Sequence, residues 1–490
     1  MNNREDDSMS LNQSLIVETQ GGTVQGTEDG RIKAFYGIRY AKPPQRFQPP
    51  QPPEAWSGVF VADQFGPTAP QPDPLPYNPR QSEDCLTLNI WTPENDRKSR
   101  PVLVYIHGGG FVSGTGSNPL YSGKTFAENG DIVVVTVNYR LGVLGFLDLG
   151  HILGEGYRSS GNCGLLDLIQ ALRWIQANIS GFGGDPRRVT IMGQSAGAKC
   201  VGGLLSSPLA AGLFHQAILM SGSVQSIRHR STSGKLAEAF IGSLGWTPQE
   251  ADRLLELPVS RLMAAQGAWV KDLRGVHLFG PVIDGITIDQ PPLQGLAARK
   301  HQLPALLIGT TRNETAGFMA GGGVLGKPTV HLLDSMFGSN AGAVRRAYER
   351  LSQRTIEEAD TDLGAWEAVL TDYMYRMAAI RTAQAYSSAG APVWLYRFDR
   401  AGNIGAAHGN ELAFVWHNQF PSEETGLADS IHQAWISFIH SGSPQQAFPQ
   451  WPPCERGRLR SLLLDHKTGI DELRDYRDDP DYPIEAFTLL

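Results

Sequence analysis

Cysteine is scarce in this 490-residue chain. The four residues Cys85, Cys163, Cys200 and Cys454 form no C-x-x-C pair and no zinc-like spacing. That scarcity points to reduced thiols and a cytoplasmic setting. No apolar run is long enough to cross a bilayer, and the polar, acidic opening Met1–Ser8 lacks the apolar core of a signal peptide. Basic blocks are missing too. The formal charge is −7, from 42 basic and 49 acidic residues, which argues against nucleic acid and anionic membranes as partners. No repeat, charge block or low-complexity linker divides the chain, so residues 14–490 read as one domain behind a disordered lead-in, 1–13. There is no H-E-x-x-H helix. Gly123-Lys124-Thr125 resembles the end of a phosphate loop, but Asn118 stands where that loop needs glycine. Neither a metal nor a cofactor is expected.

What is present is an alternation. Apolar, β-branched runs at Pro101–Ile106, Asp131–Val137, Val189–Met192, Ala217–Met220, Ala305–Ile308 and Val393–Phe398 are separated by helical patterns. Continuous apolar strands with helices between them predict an α/β fold with a large, mostly parallel sheet covered on both faces. Leu165, Leu168, Ile169, Leu172, Ile175 and Ile179 recur at helical spacing and predict one buried helix. Segments 232–272 and 327–388 also read as largely helical. They interrupt the strand series and are expected as insertions over the sheet's carboxyl edge, where ligands of open α/β sheets bind.

Gly193-Gln194-Ser195-Ala196-Gly197 joins a predicted strand to a predicted helix. This is the setting of a nucleophile elbow, with the serine at the apex of a strained turn. A serine hydroxyl needs a histidine base, and the histidine needs a carboxylate to fix its tautomer. His408, in the small-residue loop Gly402–Gly409, is the candidate base among twelve histidines. Glu314, after the run Ala305–Ile308, is the candidate acid, with Asp284 and Glu411 as rivals. His107-Gly108-Gly109-Gly110 follows a strand. Its glycines let backbone N–H groups converge with that of Ala196 into an oxyanion hole. Phe111, His277, Phe279 and Phe318 lie beside these segments and are candidate substrate-pocket residues; core packing explains each as readily.

These residues, in this order, resemble the type-B carboxylesterase family, whose members include bacterial para-nitrobenzyl esterases and cholinesterases. The likeness extends over Phe35–Ala41, Ser82–Asn89, Asn138–Gly142, Gly161–Asp167, Phe182–Pro186 and His408–Leu412. It implies an α/β-hydrolase fold and hydrolysis of neutral carboxylic esters, small molecules, through an acyl-serine. It places the triad on Ser195, Glu314 and His408, and the oxyanion donors on Gly109, Gly110 and Ala196. Ser221 would be a supporting serine hydrogen-bonded to Glu314. Ion pairs are implied between Arg46 and Glu83 and between Arg140 and Asp167. A monomer or small homo-oligomer is expected. An amidase or carbamate hydrolase would use the same machinery. A catalytically silent adhesion relative would lack the serine.

Departures from the family pattern matter as well. Gln194 replaces a frequent glutamate, which turns the expected alcohol site away from cations. Alanine stands where secreted relatives keep a partner for Cys85, so Cys85 is expected as a free, packed thiol. Lys199, one helical turn beyond Ser195, is unusual and is expected to be solvated or snorkelling.

Overall fold

A computed structural model describes residues 13–473 and 479, apart from 97, 272–277, 300–302, 321–323 and 359–360. The lead-in therefore lies almost wholly outside the described residues. Eleven strands form the main sheet. In chain order they are β1 Thr27–Asp29, β2 Ile32–Arg39, β3 Thr87–Thr92, β4 Arg100–Ile106, β5 Val133–Val137 and β6 Gly184–Gln194. The remainder are β7 Gln216–Met220, β8 Ala305–Thr311, β9 Val393–Phe398, β10 Leu459–Leu464 and β11 Gly469–Leu473. Their spatial order is β11-β10-β9-β8-β7-β6-β4-β5-β3-β2-β1. From β5 to β10 every neighbouring pair is parallel, and both margins are antiparallel.

The apolar runs become buried strands because both faces of the sheet are covered. Side chains alternate between faces with a period of two. Val102, Val104 and Ile106 enter one core, together with Val133 and Val135. Leu103, Tyr105 and Val134 enter the other. The striped helix, α1 Cys163–Asn178, packs in the first core with Leu165, Leu168, Leu172 and Ile175.

Register brings the carboxyl ends of the central strands level. Ile106 sits beside Gly193, Gln194 beside Met220, and Met220 beside Gly309. The loops leaving these ends therefore emerge along one edge. Both segments that read as largely helical contain helices, and the last of these packs against β8, β9 and β10. Arg230–Ser243 and Val259–Val270 lie in the first. Val330–Phe337, Ala341–Ser352, α3 Leu363–Thr371 and α4 Met377–Ser388 lie in the second. A π-helical turn, Asp372–Arg376, joins the last two. Two ion pairs pin loops elsewhere in the fold. Arg46 Nη2 lies 2.7 Å from Glu83 Oε1, and Arg140 Nη2 lies 2.7 Å from Asp167 Oδ1. All four cysteines are free and buried.

Candidate active site

Ser195 stands between β6 and α2, Ala196–Ser206, with φ 57° and ψ −122°. A non-glycine residue in this region is strained and holds only where its surroundings fix it. Two contacts fix it here. Its N–H donates to Met220 O at 2.9 Å, and its carbonyl accepts from Lys199 N at 3.0 Å. The flanking glycines are needed for close approach. A Cβ on Gly193 would meet Gly197 C at 2.3 Å, and one on Gly197 would meet Ile106 O at 2.0 Å. Strand and helix thus touch backbone to backbone, and Ser195 is left half-buried at the apex.

Glu314 and His408 meet from separate loops, beside Gln194. His408 Nδ1 lies 2.6 Å from Glu314 Oε2, and the glutamate is fully buried. Its other oxygen accepts from Thr311 N at 2.8 Å, which fixes the carboxylate. On the far side of the ring, Gln194 Nε2 lies 3.2 Å from His408 Nε2. An amide nitrogen only donates, so His408 Nε2 is the accepting nitrogen. The ring proton then sits on Nδ1 and is donated to Glu314. This leaves Nε2 able to accept a proton.

His107-Gly108-Gly109-Gly110 wraps the other side of the serine. A Cβ on Gly108 would come within 3.0 Å of Ser195 Cβ, so the loop lies against the elbow. Gly109 and Gly110 have φ 118° and 63°, and neither is buried. His107 anchors the loop. Its ring stacks on Tyr139 at 4.6 Å, and burial holds it down at about 4, hence neutral.

Neither rival acid pairs with His408. Asp284 Oδ1 accepts from the backbone N–H groups of Ile286, Thr287 and Ile288, forming a structural turn. Glu411 is buried, and burial followed by the charge of Glu314 pushes it up to about 8. Ser221 requires a correction: its hydroxyl donates to Glu411 Oε1 at 3.4 Å, not to Glu314. The Glu314 oxygens are already engaged by His408 and Thr311, while Glu411 reaches Ser221 from the stretch just past the His408 loop.

Lys199 requires another correction. It is neither solvated nor snorkelling but 3% exposed, with Nζ 5.5 Å from the centre of the Tyr375 ring. Every residue of α2 is buried, so the helix offers no rim along which a lysine reaches water. Of the candidate pocket residues, Phe318 is 36% exposed and its ring lies 5.5 Å from that of His408. Phe111 packs edge-on against Phe146 at 4.9 Å, and Phe279 packs against Trp269 at 6.0 Å. His277 lies outside the described residues. Tyr375, not singled out in the sequence, brings its ring within 4.9 Å of that of His408. It stands in the π-helical turn, which has no signature in composition or spacing.

A parallel sheet whose carboxyl edge carries an elbow serine, with a glutamate and a histidine from later loops, defines an α/β-hydrolase. Comparison with known proteins narrows the class. The carboxylesterase family matches residues 13–478. The para-nitrobenzyl esterase of Bacillus subtilis is 36% identical over 481 residues, covering 93% of this chain and 96% of that protein. The fumonisin B1 esterase of Sphingopyxis macrogoltabida is 34% identical over 477 residues, covering 90% and 85%. A crystal structure of a Geobacillus stearothermophilus carboxylesterase superposes with a TM-score of 0.83 at 37% identity, covering 94% of this chain and 98% of that one. The chain belongs to the carboxylesterase family and is a carboxylic ester hydrolase.

Proposed function

We propose that Ser195, His408 and Glu314 form the catalytic triad of this esterase. The hydrogen-bonded line from Glu314 through His408, with Nε2 left as the acceptor, is the observation that carries the reading. As Ser195 Oγ attacks the ester carbonyl, His408 Nε2 takes the hydroxyl proton. Glu314 stabilises the imidazolium that results. The carbonyl oxygen becomes an oxyanion facing the N–H groups of Gly109, Gly110 and Ala196. Such donors are each worth roughly 10²–10³ in turnover. Collapse of the intermediate breaks the ester C–O bond, and His408 returns its proton to the leaving alcohol. Water then attacks the acyl-serine by the same route. The carboxylic acid departs and Ser195 regains its proton.

The alcohol half is read as uncharged. A neutral amide at Gln194 offers no counter-charge to a cationic alcohol. Four unpaired, buried thiols support a cytoplasmic setting, and among the described residues no helix is long and apolar enough to cross a membrane.

Hydrolysis of p-nitrophenyl acetate, followed by release of p-nitrophenolate, tests the assignment. Ser195→Ala is expected to lose about 10⁶-fold in kcat. Glu314→Gln is expected to lose about 10⁴-fold, because the wrong tautomer is held. Near-normal turnover in Ser195→Ala chains with an unchanged unfolding midpoint would refute the nucleophile. Near-normal turnover in Glu314→Gln would refute the acid.

A further inference from the structure

Two buried cations stand near the elbow without counter-charges. Arg228 is 5% exposed. Its Nη1 donates to Ser226 O at 3.3 Å, while its buried Nη2 has no hydrogen-bond partner. Lys199 is the second, held over the Tyr375 ring. Among the described residues, no carboxylate lies within ion-pairing distance of either. Burial pulls Arg228 down to about 9. Burial, then the like charge of Arg228, pull Lys199 down to about 7, against the opposing pull of Glu314. An unpaired charge in such a place is strongly disfavoured, and an arriving anion relieves the cost.

Arg228 opens onto a narrow cleft that it shares with Phe146, Trp269 and Phe279. The free space there, about 10 Å³, is the size of one water or of the oxygen tip of a carboxylate. Two links run from the cleft towards the elbow. Arg228 begins the short strand Arg228–His229, which follows Ser221 after β7, and β7 is the strand paired with β6, which runs straight into Ser195. Phe146 packs on Phe111, the residue that follows the oxyanion glycines. The leaving alcohol must sit beside His408, which protonates it. The rings next to His408 are Phe318 and Tyr375, and neither lines the cleft.

We propose that Arg228 binds a carboxylate carried on the acyl half of the ester, so that monoesters of dicarboxylic acids are preferred substrates. The proposal rests on the ester-hydrolase reading. It keeps the alcohol half neutral and makes the acyl half anionic.

Two ethyl esters of matched acyl shape test it. Monoethyl glutarate ends in a carboxylate; ethyl 5-methylhexanoate carries two methyl groups in place of the two oxygens. Ethanol release gives kcat/KM for each, and their ratio is the readout. In the unaltered chain the ratio is expected to favour the glutarate by about 100-fold or more, because a site built to bond a polar group rejects the analogue lacking it. Arg228→Met is expected to lower that ratio at least about tenfold, through loss of a close charge partner. Arg228→Lys, which keeps the charge, should restore most of it. A ratio near one in the unaltered chain, or one unmoved by Arg228→Met, overturns the proposal. So does equal turnover of both esters with inhibition of both by free glutarate, since the cations would then hold a separate anion. Calorimetric titration of Ser195→Ala protein with monoethyl glutarate separates this proposal from the reading it rests on. If no ester is turned over, saturable binding that Arg228→Met abolishes upholds the anion subsite and faults the hydrolase reading. Absence of binding overturns the subsite.

Discussion

Gln194 decides the charge that His408 faces. Its amide nitrogen lies 3.2 Å from His408 Nε2, the ring nitrogen proposed to take the serine proton. Gln194→Glu would put a carboxylate at that position and favour the imidazolium. The acid limb of the kcat/KM profile is therefore expected to move up by about one pH unit. A pH–rate series from 4.5 to 9 reads the shift, and an unmoved limb would show that residue 194 does not face the working base. Residues of this kind differ in how readily the sequence reveals them. Ser195, Glu314 and His408 stand in local patterns with fixed chain order. Ser221 bonds to Glu411 rather than Glu314 because its partner is chosen by how two loops cross, which no local pattern encodes. Lys199 was misplaced for a similar reason. A lysine among Ala, Gly, Cys and Val looks like an exposed point on a helix, whereas α2 is enclosed on every side. The run of small residues was the sign of that enclosure. Arg228 stands in a two-residue strand with no motif and becomes notable once its burial is known.

Elements were easier to read than single contacts. The strand Val393–Phe398 forms with the expected limits, because a short β-branched and aromatic run between breakers has few alternatives. β6 is longer than the apolar run Val189–Met192. Its first residues pair through Gly184 and Arg100, across a register irregularity that composition does not show. The π-helical turn is likewise set by packing, and π-turns of this kind recur at functional sites. The elbow makes the sharpest demand on an element. Gly197→Ala would drive a methyl into Ile106 O, with backbone on both sides of the contact. Urea unfolding is expected to show a loss of about 3 kcal/mol or failure to fold. Gly156→Ala, where nothing lies within 4 Å, is the control and should stay within about 0.5 kcal/mol. Equal effects at the two positions would refute the close-approach account.

The whole molecule carries a pH dependence from one buried acid, Glu411. Glu411 titrates from an ordinary 4.5 to about 8 in the folded chain, through burial and the nearby Glu314. The folded state therefore holds a proton that the unfolded chain has released. The contribution is fully present below about 4.5 and is lost as pH rises through about 8. Glu411→Gln keeps the neutral shape and removes that slope. The stability of the unaltered chain relative to the variant should accordingly fall between pH 5 and pH 8 in thermal melts. A constant difference would show that Glu411 is already ionised in the fold. The order of the strands has a further consequence, for the timing of synthesis. The sheet's middle strands, β4 and β6, leave the ribosome early, with the serine just behind them. The histidine that would activate it follows β9, near the far end of the chain. With His408 as the proposed base, a nascent chain displays its hydroxyl for more than two hundred residues of translation before that base is made. Reactivity arrives late, after most of the sheet that positions the serine has been made.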